Sequence, residues 1–226
     1  MKRRALFRLL FALALAVVVV LVVSIISLTN HSEDLYAVTA QQWEAAFGDA
    51  AHIQTIYRNV TVEIGDGTDE KPMILATSGG GVLLDYEKGD MKLICVPVDN
   101  GFTSYIWRYS TGEWDTYDGK AEGVDELLAK ELPNYVDTAM AGLQGEFGNA
   151  SYDAEERCYS ITSQKAVVED AEPITMHCQV YFEGGKLVKL KTKITADEVL
   201  TVHLYSIGET AVQPPQIPQI PAETTG

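Results

Sequence analysis

Residues 9–28 hold 20 consecutive uncharged, mostly apolar side chains. That is the length an α-helix needs to cross the ~30 Å hydrocarbon core of a bilayer. A secretory signal core is usually ~7–15 residues and ends at a small-residue cleavage site. Here the run is longer, and Val22 with Ser24, or Ser27, offers only a poor site. The expectation is therefore an uncleaved signal anchor, with a cleaved signal peptide and a buried soluble helix as the alternatives. No Cys lies near the end of the run, which excludes the lipid-modified N-terminal Cys of bacterial lipoproteins.

The charge distribution orients this anchor. Lys2, Arg3, Arg4 and Arg8 precede it, and basic residues are rare just after it. Residues 1–8 then read as a cytoplasmic basic segment, with the remainder extracytoplasmic at a cell membrane. Those four account for part of the 17 basic residues, leaving 13 against all 32 acidic ones in residues 31–226, a net charge of −19. Such a domain repels phosphate backbones, which argues against nucleic acid as a partner. It is also repelled by an anionic lipid surface.

Residues 29–38 read as a linker and 39–208 as one α+β domain. Thr39 followed by Gln42 has the pattern of a capping box, and Ala40, Trp43, Ala46 and Phe47 recur at helical spacing up to Gly48. The period then changes to two. Strands are expected at 56–64, 72–77, 82–86, 92–97, 103–109 and 114–117, separated by Gly-, Asp- and Ser-rich turns. A helix at 124–132 stops at Pro133, and a second carries Val136, Ala139, Met140, Leu143 and Phe147 at spacings of three and four. Strands resume at 157–163, 174–183, 186–194 and 200–206. Short links favour sequential antiparallel pairing. Residues 209–226, with Pro214, Pro215, Pro218 and Pro221, read as an extended, disordered tail.

Few residues suggest chemistry. Cys158 and Cys178 are symmetric about residue 168, so a hairpin centred there would set them opposite each other. Opposed Cβ atoms lie ~4.5–5.5 Å apart, which permits a disulfide in an oxidising compartment. The alternative is two buried free thiols. Cys95 would remain unpaired. His31, His52, His177 and His203 have no partner at ligand spacing, so no metal or cofactor is expected. No nucleophile-elbow pattern stands out, and no enzymatic activity is expected.

The aromatic stripe is the main candidate site. Tyr105, Trp107 and Tyr109 alternate on one strand face, and Trp114 and Tyr117 follow across a turn. Such rings could line a groove for a lipid or sugar. They could equally form the inner face of the sheet, or meet a protein partner. Lys189, Lys191 and Lys193 share a face of a late strand, as in a sheet wetted on one side.

The element order is one helix, a meander, a helical pair and a second meander. Over residues 36–206 it resembles the LolA/LppX-like bacterial envelope lipoprotein carriers. The resemblance implies a curved, half-barrel-like, mostly antiparallel sheet with packed helices and an apolar cavity for acyl chains. It therefore implies a non-enzymatic envelope protein binding a hydrophobic or amphiphilic ligand near the membrane. A structural or sensory ectodomain acting through an envelope protein partner is the alternative.

Overall fold

The computed structural model describes residues 35–68, 70–165, 174–195 and 199–217. The run at 9–28 lies outside the described residues. Among them, no helix is long and apolar enough to cross a membrane.

Eleven strands form one antiparallel sheet that does not close on itself. A first meander runs through β1 (Val60–Gly65), β2 (Met73–Ser78), β3 (Gly81–Tyr86), β4 (Met91–Val98), β5 (Gly101–Arg108) and β6 (Glu113–Asp118). A second runs through β7 (Ser151–Asp153), β8 (Cys158–Lys165), β9 (Ile174–Glu183), β10 (Lys186–Thr195) and β11 (Val199–Tyr205). The meanders join where β11 pairs with β1, so that β6 and β7 are the outermost strands among the described residues. The β9–β10 hairpin turns on Gly184 and Gly185, both at positive φ, as the turn chemistry predicts.

The first helix, α1 (Ala40–Gly48), begins with the expected capping box. The Thr39 N–H donates to Gln42 Oε1 at 2.9 Å, and the Gln42 N–H to Thr39 Oγ1 at 3.3 Å. Residues 50–58, whose later part was expected to open a strand, instead form α2 (Ala50–Arg58). Asp49 caps this helix by accepting from the Ala51 N–H at 2.8 Å. Ile56 fits both periods, being in step with Val60 and Val62 and also three residues after Ile53. The cap decides in favour of the helix.

The mid-chain block also departs from expectation. A helical turn (Val124–Glu126) and a π-helical segment (Leu127–Glu131) lead directly into α3 (Leu132–Met140). Pro133 does not end the helix, because it falls where the π-helical segment passes into α3. The chain leaves the helix at Ala141 rather than continuing to Phe147, which lies in a short 3₁₀ turn.

Among the described residues, α1, α2 and α3 pack against one face of the sheet. The rows Val180–Leu190–Leu204–Val62–Leu75 and Cys178–Thr192–Val202–Ile64 point toward them. Thr192 is buried and donates to the Ala139 carbonyl at 2.9 Å, which ties β10 to α3. At one end of the strands, the segment before α1 is held by three further bonds. The Gly184 N–H donates to the Leu35 carbonyl at 2.8 Å. The Val38 N–H donates to Tyr159 Oη at 2.8 Å, and the Tyr159 hydroxyl donates back to the Val38 carbonyl at 3.2 Å.

Within the stretch expected as a tail, residues 209–217 are described. Thr210 is buried, its hydroxyl lies 3.1 Å from Thr61 Oγ1, and Val212 packs at the Gly81 backbone. The start of the Pro-rich stretch is thus laid on the opposite, outer face of the sheet. Residues 218–226 lie outside the described residues.

His52 on α2 supplies a pH prediction. Burial holds its pKa below the usual 6.5, against the opposing pull of Asp49. The folded state therefore prefers the neutral imidazole. Its stabilisation is complete above pH 6.5 and is lost as pH falls through that value toward the lowered one. His52→Leu is expected to lose less melting temperature than the parent between about pH 7.5 and 5. Parallel melting curves across that range would refute the assignment.

Candidate functional site

Two open, largely apolar grooves flank the π-helical segment on the inner face. One, of about 370 Å³, is floored by Leu84, Leu93 and Ile106 and roofed by Val124 and Leu127. Cross-strand register explains its floor, since Leu84, Leu93 and Ile106 form one row across β3, β4 and β5. The second, of about 580 Å³, lies between α2, Leu128, Pro133 and the β2–β3 turn at Gly79–Gly81, with Tyr57 on its wall. The Tyr57 hydroxyl donates to Asp137 Oδ1, bridging α2 to α3. Burial and that bond both raise the Tyr57 pKa.

The structure divides the aromatic stripe between two faces. Tyr105 pairs with Ile94 and Thr116, and Trp107 with Lys92 and Trp114, in rows pointing away from the helices. Trp107 and Trp114 meet across the strands in a tilted contact at 5.4 Å, and Tyr109 meets Trp107 edge-on at 6.5 Å. The Tyr109 hydroxyl donates to Asp85 Oδ1, and Asp85 also pairs with Lys92 at 2.8 Å. Burial and the Asp85 bond raise the Tyr109 pKa, so the phenol stays a donor.

Only Tyr117 lies on the inner face, 38% exposed at the rim of the smaller groove. It sits opposite Ser104, whose buried hydroxyl donates to the Gly119 carbonyl at 2.8 Å. Period two identifies two faces of β5 but does not say which is inward. The neighbouring strand decides, because Leu93 and Cys95 are buried opposite Ile106 and Ser104.

The proposed Cys158–Cys178 disulfide is corrected. All three cysteines are free and buried. Cys178 stands opposite Ile161, three residues from the expected register. An odd shift turns a strand's side chains over. Cys178 therefore faces the helices beside Thr192, whereas Cys158 lies on the outer face. Burial raises the Cys178 thiol pKa, so it stays protonated and unreactive. Among the described residues, no three His, Cys, Asp or Glu side chains gather as metal ligands.

No protein-family model, curated protein or solved structure matches the chain. The inner grooves offer mainly apolar area with few polar groups.

Proposed function

We propose that this chain is a membrane-anchored protein whose extracytoplasmic domain binds a hydrophobic or amphiphilic ligand without catalysing a reaction. Residues 9–28 hold it in the membrane, with the N-terminus cytoplasmic. The observation carrying this reading is the groove of about 370 Å³ floored by Leu84, Leu93 and Ile106 and roofed by Val124 and Leu127. Its volume falls within the ~300–1,000 Å³ of typical small-molecule sites. Leu127, one half of that roof, opens a π-helical segment, an irregularity that frequently occurs at functional sites. The resemblance of the element order to LolA/LppX-like carriers supports the same reading.

The test is a photoactivatable fatty acid supplied to membranes containing the full-length chain, with crosslinked peptides mapped by mass spectrometry. Labelling is expected on the peptides around Leu93, Ile106 and Leu127. Ile106→Arg places a charge on the floor and should cut that labelling by about tenfold or more. Labels confined to residues 9–28 would sink the reading.

A second reading, a structural or sensory ectodomain working through a protein partner, is favoured by the part-exposed Trp107–Trp114 pair at the outermost strand β6. Aromatic pairs of this kind serve as interface anchors.

A further inference from the structure

The outer face of the second meander carries a groove of about 570 Å³ lined mostly by residues with polar side chains. Two cross-strand rows form it. The first runs Ser160, Gln179, Lys191 and His203 from β8 to β11. The second, two residues along each strand, runs Thr162, His177, Lys193 and Thr201. Adjacent strands lie ~4.8 Å apart, so eight neighbouring side chains present a lattice of groups that can all donate hydrogen bonds. Gly67 closes one end, with its Cα near enough that an added Cβ would lie 2.9 Å from Thr201 Oγ1. Asn149 stands at the other.

The charge pattern is unusual for this chain. Acidic residues outnumber basic ones 32 to 17, so carboxylate partners are plentiful. Yet among the described residues neither Lys191 nor Lys193 has an ion pair, while Glu63 at the end of the first row lies 3.7 Å from His203 Nδ1. Lys189 and Lys191 instead crowd the same Tyr181 ring, at 5.2 and 5.7 Å from its centroid. Burial and the Lys191 charge both lower the Lys189 pKa. Lysines on a sheet commonly block aberrant pairing, but that role belongs to edge strands. Strand β10 is paired on both sides, by β9 and β11, and needs no such protection.

We propose that this outer groove is a binding site for a phosphate-type oxyanion, held by the Lys191 and Lys193 ammonium groups and the flanking Gln179, His177 and Thr201 donors. Charge-assisted bonds of this kind satisfy both lysines without a protein carboxylate. The site is on the opposite face from the apolar grooves, so it stands or falls independently of them. A lipid headgroup and free phosphate share the required chemistry.

The experiment follows the imidazole resonances of His177 and His203 in the full-length chain. One arm adds inorganic phosphate to the protein in a neutral detergent, at constant ionic strength set by chloride. The other places it in phosphatidylcholine discs with or without phosphatidylglycerol. A saturable shift with inorganic phosphate supports the site with a free anion as ligand. A shift that appears only with phosphatidylglycerol supports it with a headgroup as ligand. Lys191→Gln with Lys193→Gln should weaken either response by about tenfold or more, while the double Arg variant and Lys186→Gln retain it. No shift in either arm overturns the proposal, as does a double Gln variant that binds like the parent. Far-UV circular dichroism establishes that the variants are folded.

Discussion

Trp43→Ala is expected to leave most of the chain unfolded at physiological temperature. Trp43 is fully buried where α1 meets the second meander. Its ring lies 5.0 Å from Phe47, 5.5 Å from Tyr159, and 5.8 Å from both Phe147 and Phe182. These partners come from α1, β8, the 3₁₀ turn and β9, so one side chain joins four elements. Truncating a buried Trp costs about 3–5 kcal/mol, through lost transfer energy and an unfilled cavity. A second term adds to this. The indole N–H donates to the Leu143 carbonyl at 2.7 Å, and Leu143 is itself fully buried. Ala would leave that carbonyl only the longer bond from the Glu146 N–H at 3.3 Å, at about 0.5–1.5 kcal/mol more. The total approaches the ~5–15 kcal/mol by which ordinary domains are stable. Urea unfolding followed by circular dichroism measures it, and Trp43→Phe separates the terms by keeping most of the packing and losing only the bond. A Trp43→Ala midpoint close to that of the parent would refute this account of the core.

Trp43 was legible as a packing residue because α1 announces itself locally, through a cap, a 3.6-residue period and a terminating Gly. The hairpins were legible for the same reason: short Gly-rich turns fix both the pairing and the register of β2 to β5 and of β9 with β10. What escaped was set at longer range. The β8–β9 connection spans eight residues, 166–173, so its turn centre could not be read, and a three-residue error moved Cys158 to the opposite face from Cys178. The faces of β5 were distinguishable, but choosing the inner one required knowing that Leu93 and Cys95 are buried on β4. The apolar grooves were invisible for a similar reason, since they exist only where Leu127 and Leu128 pass over strands more than 20 residues earlier. The lysine row on β10 was plain in sequence, but its meaning changed once β10 proved to be an interior strand.

The junction between the two meanders leads to the other large effect, Leu204→Asp. Leu204 on β11 stands opposite Leu190 on β10 and Val62 on β1, and all three are fully buried. It is the point where the last strand fastens the second half of the sheet to the first. An aspartate there would bury a carboxylate among apolar side chains, forcing it to take up a proton or draw in water. Losses beyond about 4–5 kcal/mol are characteristic of such substitutions. Leu204→Met keeps the volume and should cost less than about 1.5 kcal/mol, so the pair distinguishes charge from shape. Thermal melts would give the comparison, and near-equal melting temperatures for the two variants would refute it. The β1–β11 pairing joins residues 60–65 to 199–205, a contact so non-local that its loop-closure entropy must be met before any of its packing is gained. Until β11 is in place, β1 and β10 each keep an open edge, and the core between α3 and the sheet lacks Val202 and Leu204. A chain weakened at Leu204 is therefore expected to fail as one unit, with both meanders unfolding together, rather than to shed β11 as a frayed end.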